Sequence, residues 1–266
     1  MDGVNKTLYI PLYGKAYVSQ QGLFLKDEMA EQLWAKEGFP LKGKAKSKWL
    51  AYYMGIRAAV FDDWVREQTA NMPPAIVLHV GCGLDSRVMR VKDHGVAWYD
   101  VDFAAVMEER KKYYAESENY SMIAADIRDG HWLDQILPSR SAIVVMEGVS
   151  MYLSKAELQR FMETLDRRFD RIALLMDGYT SLAAKLSGYR NPVHDVGVTN
   201  VYGLDDPTEV QQGRLLYTKE HLMTPKTYTD ELAGMEKAVF CKLYAGKFSK
   251  KLYRLYEYQK TVFIEK

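Results

Sequence analysis

The chain has little cysteine, no long apolar run and almost no net charge, and each shortage removes a class of function. Two cysteines in 266 residues, Cys82 and Cys241, cannot build a disulfide framework and lack the spacing of a metal site. Both read as small buried fillers, and no metal is expected. No apolar stretch reaches the roughly 18 residues that a membrane helix needs. No charged-then-apolar leader pattern opens the sequence. The expectation is a soluble, cytoplasmic protein with no membrane partner. Thirty-six basic residues against 35 acidic ones leave a net charge of +1, so there is no basic field to hold nucleic acid. Internal repeats and low-complexity segments are also lacking.

What is present is a chain long enough for a full core, with its clearest pattern between Ala75 and Phe103, AIVLHVGCGLDSRVMRVKDHGVAWYDVDF. Ala75–Val80 is a nearly continuous apolar run, the mark of a strand buried on both faces in a parallel sheet. Gly81-Cys82-Gly83 turns the chain, Leu84–Val91 has helical spacing, and a second strand from Val96 ends in Asp100 and Asp102. This is a nucleotide-binding βαβ unit. Glycine lets a ligand lie against the main chain, and the free N–H groups of the helix start favour an anionic or polar ligand. Asp102 lies 19 residues beyond Gly83, close to the spacing of an acid that accepts ribose hydroxyls. Only one of Asp100 and Asp102 is expected to reach the ribose. Ser86 stands where a dinucleotide fingerprint places its third glycine. That weakens an NAD reading and favours an adenosine ligand without a diphosphate, such as S-adenosyl-L-methionine.

The rest of the chain extends this unit. Tyr120–Ala125, Ser141–Met146 and Arg171–Met176 read as further strands, ending in Asp126, Glu147 and Asp177. Helices are expected over Phe103–Ser117 and Lys155–Phe169, and two closing strands over Ala238–Tyr244 and Tyr256–Ile264. The alternation predicts an α/β fold with a doubly wound, mostly parallel seven-stranded sheet. Ligands in such sheets bind beyond the strand carboxyl ends. Residues 1–72 read as an N-terminal helical cap, with helices over Ala16–Trp34 and Lys48–Gln68, and residues 73–266 as the core. Within the second helix Arg57 lies in an apolar stripe; it either reaches an internal carboxylate or ligand, or snorkels to water. An irregular stretch, taken as a lid around residues 181–217, interrupts the core. Thr218–Leu232 reads as helical around Pro225.

Four motifs, LHVGCGLDSRVMRV, WYDVDF, AADIRD and MEGVSMYL, in this order and spacing resemble the leucine carboxyl methyltransferase family, including its bacterial branch of tetracenomycin-type polyketide O-methyltransferases. The likeness covers roughly residues 45–180. It implies a Rossmann-like fold and an O-methyltransferase that uses S-adenosyl-L-methionine and releases S-adenosyl-L-homocysteine. It also implies roles. Gly81 and Gly83 would pass the methionine part along the backbone, and Asp102 would bind the ribose. Asp126 with Ile127 would hold the adenine, and Glu147 would face the methionine ammonium. Arg57 would pair with the cofactor carboxylate, and Tyr152 would line the junction with the acceptor. The N-terminal part and the 181–217 insertion do not match the protein-methylating branch clearly.

An acceptor carboxylate would need no base. A hydroxyl would, and the candidates are His194 and Tyr179, with His221 and His131 less well placed. The expected partner is a small-molecule acceptor, and the expected state a monomer or homodimer. Rival readings are a carboxyl methyltransferase for a protein C-terminus, a non-catalytic cofactor-binding module, and an NAD-dependent oxidoreductase.

Overall fold

The computed structural model describes residues 8–37, 41, 43–72, 74–91, 95–190 and 201–261. In chain order it contains α1 (Tyr9–Gln20), α2 (Glu28–Glu37), α3 (Lys48–Asn71), β1 (Ile76–Val80), α4 (Arg87–Arg90), β2 (Trp98–Asp102), α5 (Ala104–Arg110), β3 (Tyr120–Ala124) and β4 (Ser141–Met146). There follow α6 (Lys155–Arg168), β5 (Arg171–Tyr179), α7 (Ser181–Arg190), β6 (Leu216–His221), α8 (Lys226–Thr229), α9 (Gly234–Tyr244) and β7 (Tyr253–Lys260). The seven strands form one sheet in the order β3-β2-β1-β4-β5-β7-β6, parallel from β3 to β5, with β7 antiparallel to both its neighbours. The chain reverses direction at β1, moving outward first through β2 and β3 and then through β4 and β5. This order leaves a crevice at the carboxyl ends of β1 and β4.

The apolar runs form central strands because both faces are covered. Val77, Ile143 and Leu175 turn to the face packed by Ile56, Phe61 and Val65 of α3. Leu78, Val144 and Leu174 turn to the other, against Leu158, Phe161 and Leu165 of α6. Each such side chain fully removed from water contributes about 1.5–3 kcal/mol. A capping box starts α6: Ser154 Oγ accepts the Glu157 N–H at 3.3 Å, and Glu157 Oε2 accepts the Ser154 N–H at 2.8 Å. Close contact of α1 with α3 depends on Gly55, where a Cβ would lie 2.6 Å from Val18 Cγ2. No helix among the described residues is long and apolar enough to cross a membrane.

Several expected elements differ. Ala238–Tyr244 is not a strand but part of α9. Phe240 is buried against Tyr52 of α3, and Tyr244 stacks on Phe240 with ring centroids 5.3 Å apart. That i, i+4 contact belongs to a helix, and a short apolar run cannot reveal it by period alone. The sixth strand comes from Leu216–His221 instead, so the helix expected over Thr218–Leu232 shrinks to α8, entered through Pro225. The single helix expected over Ala16–Trp34 is two, broken where Gly22 and Phe24 take positive φ. Within the irregular stretch Ser181–Arg190 is helical, and residues 191–200 lie outside the described set.

Candidate active site

A cavity of about 370 Å³ opens at the carboxyl ends of β1, β4 and β5, a size suited to a small ligand. Its floor is the glycine turn after β1. Gly81 and Gly83 have φ of +65° and +53°, the left-handed region. A Cβ on Gly81 would lie 2.2 Å from Val149 Cγ2. Glycine is therefore required there for both backbone angle and space. Asp102 Oδ2 accepts the Gly83 N–H at 2.8 Å, and Arg110 donates to the Gly83 carbonyl at 3.0 Å. The turn is held from both sides.

Asp100 and Asp102 do not point to opposite faces of β2, so pleating cannot decide which of them would reach a ribose. Residues two apart share a face of a strand; depth along β2 separates them. Asp100 is 0% exposed and receives hydrogen bonds from Trp98 Nε1 (2.9 Å), the Tyr120 hydroxyl (2.7 Å) and Arg110. Asp102, at the strand end, keeps 8% exposure. Burial pushes the Asp100 carboxyl up, but the Arg110 charge, helped by His79 and Tyr120, outweighs it and holds the group at about 2. For Asp102 burial prevails over the two backbone N–H bonds, and its carboxyl stays above the usual value.

The second wall carries Arg57, which does not snorkel to water: it is 5% exposed, pairs with internal carboxylates and lines the cavity. Its Nε donates to Glu147 Oε1 at 2.9 Å, and its Nη1 to Asp177 Oδ2 at 3.2 Å and to the Tyr253 hydroxyl at 2.9 Å. Arg87 of α4 donates to the other Glu147 oxygen and, through Nε, to Asp62 at 2.7 Å. Burial raises the Glu147 carboxyl, but Arg57 and Arg87 more than offset it, and the group is held at about 2. Arg87 Nη1 also lies 3.2 Å from His79 Nε2. A guanidinium only donates, so that nitrogen must accept, which leaves the imidazole proton on Nδ1 facing Asp100 at 3.0 Å. Behind this row Arg90 binds Asp62, Asp27 and Asp85, and Lys15 pairs with Asp85 at 3.2 Å. Such buried pairs hold geometry more than they add stability: breaking one costs about 3–5 kcal/mol, whereas an apolar replacement of the whole set is often neutral.

The remaining wall is aromatic and apolar: Tyr53, Tyr152, Tyr179, Tyr244 and Tyr253 with Leu50, Met54, Leu243 and Leu252. Burial pushes the Tyr152 hydroxyl well above its ordinary value, so it stays protonated at neutral pH. The cavity thus brings together Arg57, Gly81, Gly83, Glu147, Tyr152 and Tyr179, with Asp102 beneath the turn. Asp126 and Ile127 do not line it. They follow β3, where Asp126 is held by Arg128 at 2.9 Å and Ile127 packs on the sheet. His194 lies outside the described residues. His221 is bound to Glu257 at 2.5 Å and His131 to Asp134 at 3.3 Å, and neither lines the cavity. Sequence reasoning assigned no site role to Lys15, Tyr53, Arg87, Asp177 or Tyr253. A usable signal was Arg87 and Arg90 within the apolar helix after the glycine turn, since buried arginines demand acids.

Residues 9–166 match the family model for leucine carboxyl methyltransferase. The chain belongs to the leucine carboxyl methyltransferase family. Among its relatives, the tetracenomycin polyketide synthesis O-methyltransferase TcmP of Streptomyces glaucescens is 30% identical over 213 residues, covering 79% of each chain. The S-adenosyl-L-methionine-dependent methyltransferase dpfgK of Gibberella zeae is 25% identical over 234 residues, covering 79% of this chain and 78% of its own. In fold, the chain is similar to the magnesium protoporphyrin IX methyltransferase ChlM of Synechocystis with bound S-adenosylhomocysteine: TM-score 0.50, 12% identity, 97% of this chain and 100% of that one. The sheet is the Rossmann-like sheet of the methyltransferases. This member of the leucine carboxyl methyltransferase family is an S-adenosyl-L-methionine-dependent O-methyltransferase.

The residues present fit that cofactor. The left-handed glycine turn offers bare backbone on the cavity floor. Among the described residues Arg57 Nη2 has no hydrogen-bond partner, which leaves a donor for a carboxylate. The ionised Glu147 on the same wall suits an ammonium.

Proposed function

We propose that this methyltransferase acts on a small, apolar, ring-bearing acceptor that presents a carboxylate or an acidic hydroxyl. The observation that supports this reading is the aromatic and apolar wall facing the glycine turn across a cavity of about 370 Å³. In this reading Gly81 and Gly83 lie along the methionine part of the cofactor, Arg57 takes its carboxylate and Glu147 its ammonium. Asp102 accepts the ribose hydroxyls, and the adenine extends beyond the cavity wall toward Asp126 and Ile127. TcmP, an O-methyltransferase of polyketide synthesis by name, fits the same acceptor class.

Bound S-adenosyl-L-methionine supplies an electrophilic methyl on a sulfonium leaving group. The chain then has to align two reactants, and orientation supplies on the order of 7–11 kcal/mol. Several polar groups on the cavity wall already have partners: Lys15 pairs with Asp85, Arg57 through Nε with Glu147, and His79 with Asp100. With Tyr152 protonated, it serves to orient the acceptor oxygen by hydrogen bonding. An acceptor that ionises by itself needs no base, so this wall favours that type.

Titration calorimetry with S-adenosylhomocysteine and NAD side by side, then labelled methyl transfer to small phenols and carboxylic acids, tests the reading. Binding of the first ligand alone and label on a small ring acid are expected. Label on peptide C-termini and on no small acid would move the acceptor to the protein class. Binding of NAD alone would overturn the cofactor assignment.

A further inference from the structure

Asp177 lies near the end of β5 and Tyr253 opens β7, so both come from beyond the segment that the family model matches. The antiparallel pairing sets Tyr253 opposite Tyr179, at the end of β5. The Tyr253 hydroxyl donates to Asp177 Oδ2 at 2.7 Å and receives the Arg57 Nη1 proton at 2.9 Å. Asp177 Oδ2 also accepts directly from Arg57 Nη1 at 3.2 Å, which closes a three-membered ring of hydrogen bonds. The other Asp177 oxygen is fixed by the Gly148 N–H at 2.6 Å. Glu147 holds Nε.

These contacts use Nε and Nη1 and leave Nη2 without a hydrogen-bond partner among the described residues. Gly148 lies beside the guanidinium: a Cβ there would stand 3.7 Å from both η nitrogens. An arginine side chain has many rotamers, and a planar fork fixed in advance loses less freedom on binding. We propose that Tyr253 and Asp177 are positioning residues that aim Arg57 at the carboxylate of the bound cofactor. They make the site selective for ligands that keep the amino-acid end over those that carry the thioadenosine alone. The inference rests on the reading of Arg57 as the carboxylate partner.

The test is titration calorimetry with S-adenosylhomocysteine and with methylthioadenosine, which lacks the amino-acid end. Tyr253→Phe is expected to weaken S-adenosylhomocysteine by roughly tenfold and to leave methylthioadenosine within about twofold. Asp177→Asn, which keeps the shape of the side chain, is expected to follow it, and serves if the Tyr253 variant does not fold. Made in an Arg57→Ala background, Tyr253→Phe should cost nothing more, because its effect passes through that guanidinium. If Arg57→Ala weakens S-adenosylhomocysteine and neither Tyr253→Phe nor Asp177→Asn does, the positioning role is refuted with the Arg57 reading intact. Equal loss of both ligands in Tyr253→Phe also refutes it, since that is a packing effect. Unchanged S-adenosylhomocysteine binding in Arg57→Ala would remove the carboxylate reading and the inference with it.

Discussion

Replacing Arg110 by methionine would break the tie between the sheet and the glycine turn. Arg110 is 0% exposed; it pairs with Asp100, donates to the Tyr120 hydroxyl at 3.2 Å and to the Gly83 carbonyl at 3.0 Å. Its guanidinium carbon also lies 4.0 Å from the centre of the Tyr114 ring. Methionine fills much of the space, so the main effect is an uncompensated buried carboxylate, which costs about 3–5 kcal/mol. His79, Trp98 and Tyr120 still donate to Asp100, which places the expected loss near the lower end, about 3 kcal/mol. Urea unfolding at neutral pH measures it. The pH dependence supplies a second check. The folded Asp100 carboxyl is held at about 2, below its unfolded value of about 3.9. Its contribution is therefore complete above that unfolded value and is lost as pH falls through the folded one. The gap between native protein and variant should narrow as pH drops from about 4 toward 2. Adding Asp100→Asn to Arg110→Met should restore part of the stability, since no charge is then stranded. A loss below about 1 kcal/mol, or a gap that stays constant across this range, would refute the argument.

Four further outcomes are expected. Gly81→Ala should abolish measurable S-adenosylhomocysteine binding and lower the melting temperature, because its Cβ would meet Val149 at 2.2 Å in a left-handed backbone; adding Val149→Ala should recover stability more than binding. Asp102→Ala should weaken S-adenosylhomocysteine by about 1.5–3 kcal/mol. In the native protein, affinity for the same ligand should fall with pH as the raised Asp102 carboxyl takes up a proton, because the protonated form loses acceptor capacity toward ribose hydroxyls; calorimetry across acidic pH should show this slope in the native protein and a flat line in the alanine variant. Ser154→Ala should cost about 1 kcal/mol in chemical denaturation, the value of a helix cap, with methyl transfer preserved.

The parts legible in the sequence are those set by near neighbours. Apolar runs bounded by glycine and acid marked β1, β4 and β5, and the turn at Gly81–Gly83 announced itself because glycine takes those angles without the strain a Cβ brings. Elements with equal local claims to two states were misread. Ala238–Tyr244 is a helix because Phe240 meets Tyr52, a contact across most of the chain, and β6 exists because β7 offers it an antiparallel edge.

By itself, then, the sequence determined the sheet's central strands, the glycine turn and the order of acids at the strand ends. Each follows from backbone angles and side-chain period, which act within a few residues. Only the tertiary structure decided which of those acids share a cavity. It set Arg57 between Glu147 and Asp177, sealed Asp100 behind Arg110 while leaving Asp102 at the edge, and left Asp126 and Ile127 off the cavity wall. It also recruited Arg87 and Tyr253 from distant segments. Buried charges take whichever counter-charge the packing brings within reach, and that choice is made across the fold.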